Sequence, residues 1–68
     1  MNVKESIGEC AGKIYFFLKD EGKPVELAEV LKKVNPDASL VMASLGWLMR
    51  EDKIDAVIDG NILYLSLK

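Results

Sequence analysis

The side chains able to do chemistry in this chain of 68 residues are few. It has no histidine and one cysteine, Cys10, so catalysis would rest on Asp, Glu, Lys, Tyr or that thiol. The acids fall where the sequence pattern marks solvated helix faces or loops, and so short a chain leaves little room for a pocket. No enzyme is expected, and no small-molecule substrate. Classical zinc sites take four Cys or His ligands where this chain offers one, so neither a metal nor another cofactor is expected. Cys10 lies on an apolar helical stripe, which reads as a buried inert thiol rather than a redox switch. What remains is binding chemistry. Lys32, Lys33, Arg50 and Lys53 are candidates for phosphate contacts, while Phe16, Leu40, Ala43, Trp47 and Tyr64 are candidates for an interface with a partner.

Those residues must be positioned by a small fold. Half of the chain is hydrophobic and 29% is charged, the balance of a folded domain rather than a disordered segment. The length predicts one domain over residues 1–68. A domain of about 60 residues buries only about 60% of the surface its unfolded chain exposes. With neither disulfide nor metal to support it, self-association is the one usual support left open.

From Val3 to about Glu21, Val3, Ile7, Cys10, Ala11, Ile14, Phe17 and Leu18 recur every three or four positions, the stripe of an amphipathic helix facing inward. Gly22 and Pro24 stop it. Lys23 to Val25 can form a very short strand, and a second helix fits Glu26 to about Val34 with Leu27, Val30, Leu31 and Val34 inward. Asn35-Pro36 breaks that helix, because the residue before proline is pushed out of the α region. Asp37 or Ser39 can cap a third helix running to about Glu51. Two runs of period two follow, split by a tight turn at Asp59-Gly60-Asn61. Either turn register sets Ile54, Ala56 and Ile58 on one face with Leu63, Leu65 and Leu67, and that face is expected to point inward. The fold class is α+β: a winged helix-turn-helix of three helices and a C-terminal two-stranded hairpin wing.

One cysteine and no disulfide framework suit a reducing cytoplasm, where the protein is expected to reside. Met1 to Glu9 carries Lys4, Glu5 and Glu9, which argues against a signal peptide. The longest uncharged run, Ala38 to Met49, is 12 residues, too short for a bilayer, so no membrane partner is expected.

The segment from Ala43 to Ile54, ASLGWLMREDKI, resembles the "ALGWLAREGKI" signature of a small prokaryotic winged helix-turn-helix family known mainly as a domain of unknown function. Ile7-Gly8-Glu9, Ala11-Gly12-Lys13 and Ile14 resemble the "IGE-x-AG-K-I" opening of that family. The resemblance covers essentially the whole chain. It departs at Ser44 and Met49, on helix faces expected to be exposed or half-exposed. It implies a transcription-regulator type of fold, often homodimeric, and supplies no ligand.

Two functions compete. A winged helix that reads DNA presents its third helix to the major groove, with Arg, Lys, Asn or Gln reaching base edges. Here that helix has Arg50 alone, and Glu29, Glu51, Asp52 and Asp55 sit among the four candidate cations. The wing tip is acidic and the net charge is −2, a poor platform for binding phosphates. The same helix carries two apolar sides, Val41–Leu45–Leu48 and Leu40–Ala43–Trp47, where one suffices for a monomer. Trp47 fits either the core beneath the hairpin or a dimer anchor. Gly8 and Gly12 want a reason too, since glycine within a helix costs about 1 kcal/mol against alanine. Either the chain's own hairpin or third helix crosses over them, or a second subunit does. The leading expectation is a homodimeric regulatory or protein-interaction module. The alternative is a DNA-binding transcription regulator.

Overall fold

A computed structural model describes residues 2–68. In chain order the elements are α1 (Val3–Glu21), β1 (Val25–Glu26), α2 (Leu27–Lys33), α3 (Ala38–Arg50), β2 (Ile54–Asp59) and β3 (Ile62–Leu67). Local chemistry sets most of these limits. The Asn2 side chain accepts the Lys4 N–H at 2.8 Å and caps α1. Gly22 ends it in the left-handed region (φ 64°), donating its N–H to the Leu18 carbonyl. Of the two possible caps for α3, Asp37 is the one used, its carboxylate accepting the Leu40 N–H at 3.1 Å.

The short strand is real but shifted. Val25 pairs with Leu65 and Glu26 with Tyr64, so Glu26 closes β1 instead of opening α2. Burial of Val25 beside Leu65 draws the strand there. The hairpin wing is therefore part of a three-stranded antiparallel sheet of order β1-β3-β2. Its register pairs Ile54 with Leu67, Ala56 with Leu65 and Ile58 with Leu63, setting both apolar sets on one face. Gly60 at φ 66° takes the first central position of the two-residue turn, and Asn61 has no positive φ, the pattern of a type II′ turn. Ile58 corrects one expectation: it is 73% exposed, because the wing runs out beyond the helices that would cover it.

The core joins Ile14 and Leu18 of α1, Val30 of α2, Val41, Leu45 and Leu48 of α3, and Val25, Ile54 and Leu65 of the sheet. Cys10 is buried among them. Ser44 is also fully buried, against the expectation of an exposed position. Its hydroxyl donates to the Leu40 carbonyl at 2.7 Å, with the Ile7 carbonyl of α1 3.4 Å away as a shared acceptor. A small side chain lets α1 and α3 approach there.

The exit from α3 is a Schellman motif: Lys53 N–H bonds the Leu48 carbonyl, and Asp52 N–H that of Met49. Asp52 sits at φ 60°, where glycine is usual. Its carboxylate also pairs with Lys68, whose pKa is raised chiefly by that hydrogen bond. Asp52→Gly is expected to stabilise the fold by about 0.5 kcal/mol, because relief of left-handed strain exceeds what an exposed ion pair contributes. Asp52→Ala is expected to destabilise it by about 1 kcal/mol. Thermal melts of the two variants check both signs.

Candidate interaction surface

The 19 residues of α1 make a rod about 28 Å long, more than α3 and the sheet can cover. Its inward stripe is buried at Cys10, Ala11, Ile14 and Leu18, but Phe17 and Ile7 are only half-buried and Val3 is 71% exposed. Val3 thus corrects the reading of that stripe as uniformly inward. The N-terminal turns of α1 instead form one wall of an open apolar surface.

The other wall is α3. Val41, Ser44, Leu45 and Leu48 take the core side. Leu40 is left half-buried, Ala43 exposed and Trp47 44% exposed. Leu40 and Ala43 line a hollow with Val3 and Ile7, and Trp47 lines a second with Val3, Ile7 and Gly8. Val3 and Ile7 border both hollows. Trp47 therefore does not fill the core beneath the hairpin.

Gly8 also borders a broad concavity between α1 and the end of α2, with Gly12, Lys13, Phe16 and Phe17 on one side and Lys33 and Val34 on the other. Phe16 is 62% exposed and touches only the edge of the Tyr15 ring (centroids 5.8 Å apart, nearly perpendicular) among aromatic neighbours. A Cβ at Gly8 or Gly12 would meet nothing within 4 Å. The intrachain explanation for these glycines is thereby removed, since neither hairpin nor α3 crosses them. Gly8→Ala and Gly12→Ala are each expected to raise the unfolding free energy of dilute protein by about 0.5–1 kcal/mol. Urea titrations check this.

Four of the five apolar candidates thus border hollows along α1: Leu40, Ala43 and Trp47 beside Val3 and Ile7, and Phe16 on a separate concavity that shares only Gly8 with that of Trp47. Tyr64 does not. It is half-buried on the outer face of β3, opposite Val57. The sequence reading missed the part of Val3 and Ile7, which it assigned inward on periodicity.

The four cations do not converge as well. Lys32 and Lys33 stand exposed at the end of α2, and Lys33 is 3.4 Å from Glu29. The Lys53 ammonium lies 5.9 Å from the centre of the Tyr15 ring. Arg50 is exposed in the last turn of α3 with no ion-pair partner among the described residues. Among the described residues no cluster of Cys, Asp or Glu can hold a metal ion. No described helix is long and apolar enough to cross a membrane.

Comparison with known proteins agrees with the architecture. Residues 1–67 match the family model described as "Winged helix-turn-helix domain (DUF2582)". The uncharacterised protein MJ1608 of Methanocaldococcus jannaschii is 38% identical over 63 residues, covering 91% of this chain and 90% of that protein. Three helices and an antiparallel wing are what the family match leads one to expect, and this chain belongs to that winged helix-turn-helix family of unknown function.

Proposed function

We propose that this winged helix is a small regulatory, protein-interaction module that self-associates as a homodimer and acts by binding, not by catalysis. The Leu40–Ala43–Trp47 side of α3 and the Phe16 region of α1 are buried against a second subunit. The observation that carries this reading is Trp47, 44% exposed beside Val3 and Ile7, which also border the hollow lined by Leu40 and Ala43. An apolar patch of that kind, rimmed by polar side chains, marks an interaction site, and a two-fold dimer is the commonest way to bury one. The buried lone thiol of Cys10 suits work in the cytoplasm.

Sedimentation across a concentration range, with a labelled random duplex at low salt in parallel samples, tests it. The expected result is a dimer that ignores the duplex. A monomer that shifts with DNA, sensitively to salt and not after Arg50→Ala, overturns the proposal in favour of a DNA-binding regulator.

A further inference from the structure

The solvent face of α1 carries a palindrome. At about 100° per residue, Glu5, Gly8, Gly12, Phe16 and Lys19 all lie within about 40° of the Gly12 direction. Counted from Gly12 they stand seven before, four before, four after and seven after. Reversal of the helix about Gly12 therefore exchanges Glu5 with Lys19 and Gly8 with Phe16. Acid meets base, and a bulky exposed ring meets the gap left by a missing side chain. Neither Glu5 nor Lys19 takes part in an ion pair among the described residues, where the pairs are Glu29–Lys33 and Asp52–Lys68.

We propose that two copies of this chain pair through antiparallel α1 helices crossing at Gly12, with Phe16 seated over the partner's Gly8 and Glu5 opposite the partner's Lys19. This rests on the self-association proposed above and names its geometry. The two-fold axis brings each contact in twice, so the face neutralises its own charges. Glu9 and Lys13 add to it: they share one flank of the helix, where long side chains place Glu9 within reach of the partner's Lys13. The two glycines, which the monomer leaves uncovered, let the backbones approach. Trp47 also borders Gly8. The competing self-contact is the free edge of β2, and charge opposes it. Two β2 strands paired antiparallel about Val57 would set Asp55 against the partner's Asp59.

A charge-swap experiment tests the pairing on the whole chain. Glu5→Lys alone gives lysine against lysine, and Lys19→Glu alone gives acid against acid. Each variant is expected to self-associate roughly tenfold more weakly than the parent. An equimolar mixture of the two restores opposite charges at both contacts, so it is expected to form a heterodimer about as tight as the parent. Each change also weakens a helix end, which circular dichroism monitors, but mixing returns none of that loss. Gly8→Leu gives a second reading: it occupies the place of the partner's Phe16 and is expected to weaken association while the monomer melts no lower. A parent dimer whose mixed variants bind no better than either alone, or that tolerates Gly8→Leu, overturns the α1 pairing and leaves self-association standing. A parent that stays monomeric across the range overturns both.

Discussion

Leu65→Ala is expected to remove about 3–4 kcal/mol of stability and to leave a large unfolded population at room temperature. Leu65 is fully buried in the middle of β3, the central strand, between Val25 on β1 and Ala56 on β2. Truncating a buried leucine costs about 2–5 kcal/mol, with the higher values where neighbours cannot collapse into the hole. Here the flanking side chains in the sheet are small and the strands are held by their ladders, so collapse is limited. A chain of this size has only about 3–10 kcal/mol in total. Urea unfolding followed by circular dichroism should show a much lower midpoint with an unchanged slope. Ile58→Ala, on the same face of the same hairpin but 73% exposed, should shift the midpoint hardly at all. Equal losses at the two positions would contradict the placement of the core under β3.

That contrast shows what periodicity can and cannot reveal. Alternation in the two C-terminal runs determined which side chains share a face, and the observed register agrees pair by pair. It carried no information on how far the helices reach beneath that face. Hence Ala56 is half-buried and Ile58 is not. Val3 repeats the lesson on α1, where a stripe with the right spacing outruns its cover. Helix ends were legible where a side chain or a glycine does a specific job, as at Asp37 and Gly22. They were obscure at Asp52, because aspartate in the left-handed region leaves no signal that distinguishes it from a loop residue. Ser44 looked like a surface residue on chemistry alone. Its burial follows from the closeness of α1 and α3, a property of the pair of helices and not of either sequence.

The exposed apolar face of α3 was legible to a similar depth. Two apolar sides on one helix implied that one of them lies outside the monomer core. Which side the core takes was not written in the pattern, since tryptophan is the larger anchor and leucine the easier one to pack. The fold resolves it through geometry: Val41, Leu45 and Leu48 point where α1 and the sheet converge, and Trp47 is left at the margin. Phe16 lies on another side of α1, and only Gly8 is common to its concavity and the hollow that Trp47 lines.

Trp47→Ala is the variant that turns this placement into a measurement. Tryptophans at the centre of protein interfaces often account for 2 kcal/mol or more of binding, which corresponds to a roughly 30-fold weaker dimer. The monomer should feel much less, because a ring already 44% exposed leaves an open dent instead of a closed cavity. The expected result is a midpoint of dissociation about 30-fold higher in concentration, with the far-ultraviolet spectrum of the parent retained. Arg50→Ala, three residues further along α3, supplies the control. It removes the exposed cation that a DNA-reading helix would need and should leave dissociation within about twofold, as rim charges contribute little to affinity. The two variants therefore separate the functions that one helix could serve. Loss of association in the first and not the second assigns α3 to a protein partner. Duplex binding that fails in the second, from a chain that never dimerises, returns it to the groove of DNA.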